Sequence, residues 1–329
     1  VQKRQLGNTD LHFTTIGSGS YALGGTTWQW SWGPQDDQES IAAIQRAFDL
    51  GINWIDTAAA YGVGHVEEVV GKAIAGRRHE VYIATKCGLV WEEGSPEVFG
   101  RLKADSIRQE IDASLRRLNV DYIDLYQIHW PNPDEDLEEA WGAIAEGVQA
   151  GKIRYAGVSN CSVSQIQRLQ AIHPVASLQP PYSMLERGVE AELLSFCQAN
   201  NIGVIVYSPM QTGLLTGKFS RERVQSLPDT DFRKTHDSHF QEPELSANLE
   251  LVEGLRPIAE RNGRSVAQLA IAWVLRRSEV TAAIVGARRP SQIEETAPAG
   301  DWQLSAEDIA EIDALLAQRD NTLSQPKEN

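Results

Sequence analysis

Cysteine is scarce in this chain. The three thiols, Cys87, Cys161 and Cys197, are scattered and form no CxxC pair. An odd, dispersed set gives neither a disulfide framework nor a zinc site, so no metal is expected and a reducing cytoplasm fits. Basic charge is also short: 30 Lys and Arg face 45 Asp and Glu, a net charge of −15. Nucleic acid and anionic lipid both require a basic face, so neither is expected as a partner. There is no apolar run long enough to span a bilayer, and the first residues, Val1-Gln2-Lys3-Arg4, are already polar, unlike a secretory leader.

What is present is a core-forming chain of 329 residues with 42% hydrophobic content. Residues 3–13 alternate loosely around Gly7-Asn8-Thr9-Asp10 and predict a small hairpin. Short apolar runs then predict strands at 15–19, 53–56, 81–86, 122–128, 155–158, 176–178, 203–207 and 282–285. Amphipathic stretches lie between them. The first, at 37–50, has Asp36 or Asp37 in capping position, and others lie at 104–118, 137–149 and 247–261. A last helix is expected over 304–317, with a frayed tail from Asp320.

Eight strands alternating with helices predict a parallel sheet, and a chain of this length favours a closed (β/α)8 TIM barrel, read as one domain over residues 1–329 with an N-terminal β-hairpin and extra C-terminal helices. An open doubly wound sheet is the alternative. The barrel is preferred because chemistry-capable residues stand at many strand exits, and a barrel brings every exit to one mouth, whereas an open sheet gathers its site at one crevice. The polar stretch 220–243 reads as a lid over that mouth or as a surface insertion.

Four residues at or just beyond strand exits suggest a reaction: Asp56, Tyr61, Lys86 and His129. A lysine beside a tyrosine favours the phenolate and is expected to lower the phenol's pKa. A tyrosine so tuned can deliver a proton, and the histidine can donate to a substrate oxygen. The set suits protonation of an oxygen while a hydride reaches the adjoining carbon.

These residues lie in motifs that resemble the aldo-keto reductases, in the bacterial and potassium-channel-β-like branch. The stretches are Asp56-Thr57-Ala58-Ala59-Ala60-Tyr61-Gly62, Asp124-Leu125-Tyr126-Gln127-Ile128-His129-Trp130, and 151–160, with further matches at 207–219 and 285–292. The resemblance implies NADP(H) as cofactor, Tyr61 as acid, Lys86 and Asp56 as its tuners, and His129 orienting a small carbonyl substrate.

The expected cofactor residues also have a chemical rationale. Ser159, Asn160 and Gln179 suit a carboxamide, and Tyr207 suits stacking on the nicotinamide ring. Backbone from Ser208 and Pro209 through Gly213, Leu214 and Leu215, with Lys218 beyond, suits a pyrophosphate. Gly286, Arg288 and Gln292 follow the last strand at the usual phosphate position of this barrel. The fixed charge of Arg288 favours a 2′-phosphate, hence NADP over NAD. By resemblance, Glu295 reaches the adenine. Thr296 stands where the family often has asparagine.

Tyr21, Trp28, Trp30, Trp32, Trp91 and Trp130 are candidates for the substrate wall, since aromatic walls suit apolar carbonyl compounds. A non-catalytic NADPH sensor and a sugar or polyol dehydrogenase running the reverse reaction are the alternative functions. Two motifs are set aside. Gly17-Ser18-Gly19-Ser20-Tyr21-Ala22 precedes a glycine- and tryptophan-rich loop rather than a helix, and 213–219 is one residue short of a P-loop. His236 and His239 lack a third ligand and are expected in solvent.

Overall fold

The structure, a computed structural model, describes residues 1–324. Its centre is a closed barrel of eight parallel strands. The chain begins with an antiparallel hairpin of β1 (Lys3–Gln5) and β2 (His12–Thr14), then enters the barrel at β3 (Ile16–Gly19) and β4 (Trp54–Asp56). β5 (Tyr82–Cys87) leads into a second hairpin, β6 (Leu89–Trp91) with β7 (Val98–Gly100), which the sequence pattern does not reveal because it interrupts the strand–helix alternation. β8 (Ile123–Ile128), β9 (Ile153–Ser159), β10 (Ser177–Gln179), β11 (Gly203–Val206) and β12 (Ala282–Gly286) complete the barrel, and β12 pairs with β3 to close it.

The first hairpin plugs the far end of the barrel. Leu6, Leu11 and Phe13 are fully buried and cluster with Trp54, Ala84, Leu125 and Ile205 from the strands. Phe13 stacks on Trp54 with ring centroids 4.6 Å apart. The indole has room because Gly17 lacks a side chain, and a Cβ there would lie 2.2 Å from the ring. With one end filled by apolar side chains, polar groups gather at the C-terminal ends of the strands, as in other barrels of this type.

The helices pack outside, and their starts follow local chemistry. Asp36 caps the helix Asp37–Asp49 by accepting from Glu39 N at 2.8 Å, so the cap is Asp36 rather than Asp37. Ser162 and Ser265 form capping boxes with Gln165 and Gln268. The stretch 220–243 contains the short helices Arg221–Gln225 and Phe232–Thr235 and a 3-10 turn at Ser238–Phe240. The last helix, Ala306–Ser324, continues past Asp320, where fraying was expected, because Asp320 pairs with Arg187 and Arg319. The remainder of the expected tail lies outside the described residues. No described helix is long and apolar enough to cross a membrane.

Candidate active site

Asp56 and Lys86 project from β4 and β5, which are neighbours in the barrel. Both are almost fully buried, and Lys86 Nζ donates to Asp56 Oδ2 at 2.7 Å. The same ammonium donates to Thr57 O at 2.9 Å and to Tyr61 Oη at 3.0 Å. All three lysine protons are thus directed, which fixes the phenol oxygen at the floor of the mouth. His129 follows β8, with its ring centroid 5.7 Å from that of Tyr61. The structure therefore brings together the four residues read as catalytic from the sequence.

The electrostatics correct one expectation. Tyr61 is not acidified. Burial pushes its phenol well above the ordinary value, and the charge of Asp56 adds to the rise. The ammonium does not reverse this because Asp56 neutralises it at contact distance. Burial also pushes the Asp56 carboxyl up and the Lys86 ammonium down, while each partner pulls the other back. Burial, together with the nearby Lys86, holds His129 well below the usual imidazole range, so its ring is neutral. The site thus holds a neutral phenol and a neutral imidazole over a buried ion pair.

A second group of polar side chains adjoins the first. Asn160, at the exit of β9 with φ +60°, donates to His129 O and to Ser159 Oγ, both at 3.0 Å, and accepts from Tyr207 Oη at 2.9 Å. Ser159 Oγ donates to Gln179 O at 2.8 Å, and Gln179 Nε2 donates to Asp56 Oδ1, also at 2.8 Å. The residues expected at a carboxamide are therefore bonded to one another and to the carboxylate of the first group.

These groups open onto a cavity of about 1080 Å³. Ser208, Pro209, Gly213 and Lys218 line it, as do Gly286, Arg288, Gln292, Glu295 and Thr296. Ser208, Gln211, Thr212 and Gly213 all have positive φ, so the backbone turns sharply along this wall. Leu214 and Leu215 do not line the cavity. Both are fully buried, and Leu215 N is already bonded to Met210 O. Lys218 Nζ pairs with Glu295 Oε2 at 2.5 Å.

Of the six aromatic candidates, Tyr21, Trp30, Trp32 and Trp130 line the cavity. Trp28 does not. It is buried behind them, with its ring 5.0 Å from Tyr21 and 5.7 Å from Tyr61. Trp91 lies on β6 beneath Arg117, also away from the cavity. Its placement follows from the β6–β7 hairpin that the sequence did not reveal.

The insertion contributes more than the sequence suggested. Phe232 N donates to Ser31 O at 3.2 Å, docking the insertion on the tryptophan loop. Arg233 is held by the buried Asp231 and lies 4.6 Å over the Trp32 ring. His239, expected in solvent, is only 17% exposed, with Nδ1 3.0 Å from Asp237 Oδ1. No group of three or more His, Cys, Asp or Glu among the described residues is placed to hold a metal. Sequence reading also missed Gln35, which binds Arg288. It sits in an aperiodic polar stretch where only a long-range contact gives it meaning.

Comparison with known proteins agrees with this geometry. Residues 21–317 match the model of the aldo/keto reductase family. The chain is 40% identical to aldo-keto reductase YhdN of Bacillus subtilis over 99% of its own length and 96% of that protein. It is 35% identical to the NADH-specific methylglyoxal reductase of Escherichia coli, over 94% of this chain and 96% of that one. The solved glycerol dehydrogenase AKR11B4 of Gluconobacter oxydans superposes with a TM-score of 0.89 at 34% identity, covering 99% of this chain and 98% of that one. The chain belongs to the aldo/keto reductase family. It is accordingly an oxidoreductase.

Proposed function

We propose that this enzyme reduces aldehydes or ketones with NADPH, with Tyr61 as the proton donor. The observation that carries the reading is the buried contact of Tyr61 Oη with Lys86 Nζ at 3.0 Å, on the floor of a cavity that Tyr61, Asp56 and His129 all line. The cavity fits a dinucleotide. The amide and hydroxyl groups of Ser159, Asn160 and Gln179 line it beside Asp56, and the cations Lys218, Arg288 and Arg289 are also in its lining. Ser159, Asn160 and Gln179 would hold the carboxamide, and Arg288 the 2′-phosphate. A bound reduced nicotinamide supplies the hydride.

The chain's own residues do the rest. The neutral His129 ring donates to the carbonyl oxygen and sets its direction. As negative charge grows on that oxygen, the Tyr61 hydroxyl delivers its proton, and the Lys86 ammonium stabilises the resulting phenolate. Trp30, Trp32 and Trp130 offer apolar walls to the substrate, and the insertion over 220–243 acts as a lid. The reverse oxidation uses the same groups, and the name of the Gluconobacter relative favours testing it.

The reading is tested by following NADPH absorbance with an aromatic aldehyde, methylglyoxal and a ketone, and NADP+ reduction with glycerol. Tyr61→Phe is expected to lower kcat by about 10²–10⁴-fold while NADPH affinity stays near that of the parent. Tight NADPH binding without turnover of any compound would instead indicate a sensor.

A further inference from the structure

Beneath the reacting groups, inside the barrel, lies a side chain with no role in the reaction described above. Gln127 is fully buried on β8, in ladder register with Lys86 on β5. Its Oε1 is 3.4 Å from Gln179 Nε2, the same nitrogen that donates to Asp56 Oδ1 at 2.8 Å. Its own Nε2 has no hydrogen-bond partner, and neither has the buried Ser177 Oγ. Gln127 and Ser177 flank Gly157 in the ladder of β8, β9 and β10. A Cβ on Gly157 would lie 2.3 Å from Ser177 Oγ and 3.1 Å from Gln127 Cγ, so the glycine keeps the space that both side chains enter.

This arrangement determines which way Gln179 faces. A primary amide presents two donors on one side and an acceptor on the other. Asp56 Oδ1 and Gln127 Oε1 are both acceptors, so together they take the two N–H groups of Gln179. The Gln179 oxygen is then directed away from both, and Gln179 lines the cavity. The amino group of a carboxamide is its complement. Asp56 alone would engage only one of the two N–H groups and leave the amide free to tilt.

We infer that Gln127 is a positioning residue for cofactor binding: with Asp56 it fixes the Gln179 amide so that its oxygen receives the nicotinamide carboxamide. The inference rests on the NADPH-dependent reading above. It links occupancy of the carboxamide position to Asp56, and through Asp56 to Lys86 and Tyr61.

The test compares two ligands by fluorescence titration of the purified protein. NADPH carries the carboxamide, whereas adenosine 2′,5′-bisphosphate carries only the adenosine and phosphate end. Gln127→Met keeps the side-chain length and removes the acceptor. It is expected to weaken NADPH binding about 5-fold, the equivalent of one hydrogen bond of about 1 kcal/mol. Binding of the bisphosphate should stay within about 2-fold. Gln127→Glu retains an acceptor oxygen in either protonation state, so it should restore NADPH affinity to within about 2-fold of the parent. Should Q127M fail to fold, Gln127→Asn draws the acceptor back by one methylene and carries the same expectation.

Unchanged NADPH affinity in Q127M, or equal weakening of both ligands, overturns the role of Gln127 and leaves the cofactor reading standing. A parent protein that binds the bisphosphate but gains nothing from the nicotinamide half overturns both.

Discussion

Gln35 and Arg288 hold each other at two points. Arg288 Nε donates to Gln35 Oε1 at 2.6 Å, and Gln35 Nε2 donates back to the Arg288 carbonyl at 2.9 Å. The guanidinium also donates to the carbonyls of Trp32 and Pro34. An arginine from the exit of the last strand is thereby fastened to the loop whose Trp30 and Trp32 line the cavity. A fixed guanidinium binds a phosphate with less loss of freedom than a mobile one.

Arg288→Ala should raise the KM for NADPH about 10-fold and leave that for NADH within about 2-fold. Gln35→Ala should act in the same direction but more weakly, since the charge remains. Steady-state kinetics with both cofactors decide it. Equal effects on the two would remove Arg288 from the 2′-phosphate site.

The pH dependence follows from the neutral forms of Tyr61 and His129. With the phenol as the proposed acid, activity is lost where it ionises, and its pKa is raised by burial and by Asp56. The imidazole is held low by burial and Lys86, so it does not titrate near neutrality. The rate of carbonyl reduction should therefore be level between about pH 6 and 8 and fall only on the alkaline side, above about pH 10. A midpoint near pH 6.5 in the rate profile would contradict the assignment of a neutral His129.

Lys86→Met should damage both activity and stability. It leaves the carboxylate of Asp56 buried with Gln179 as its remaining side-chain donor. Breaking a buried ion pair from one side costs about 3–5 kcal/mol. Double replacement with Asp56→Asn should recover part of the melting temperature and none of the turnover. Calorimetry beside the NADPH assay separates the two effects.

Glu110 predicts a pH-dependent stability away from the reaction. Its carboxylate accepts from Gly88 N at 2.8 Å and from Ser106 Oγ at 3.0 Å, and burial pushes its pKa up from 4.5 to about 7. The folded carboxyl therefore keeps its proton at pH values where the unfolded one has lost it. Below about pH 4.5 both states are protonated, and the contribution is intact. It is lost as pH rises toward 7, and the loss is complete above that. Glu110→Gln cannot ionise, so it should gain on the parent across this window by at most about 3 kcal/mol, with no further change above about pH 7.5. Urea unfolding at a series of pH values measures the gap.

The alternation of strands and helices was legible because each buried strand is a short apolar run and each helix repeats every three to four residues. Asp56, Lys86 and His129 were legible because a polar residue at the end of such a run is costly unless it is used. The β6–β7 hairpin was not legible, since its strands lie outside the strand–helix alternation that made the equally short β4 and β10 readable, and Trp91 was misplaced with it.

The direction of the Tyr61 pKa shift was decided only by the tertiary structure. A lysine near a tyrosine in sequence logic lowers the phenol's pKa. In the folded chain the lysine charge is already balanced by Asp56, and the phenol is largely buried. The roles of Gln35 and Gln127 were hidden for the same reason. Neither glutamine ends a strand as Gln179 does, so its function is set by the donors and acceptors that distant segments bring within reach.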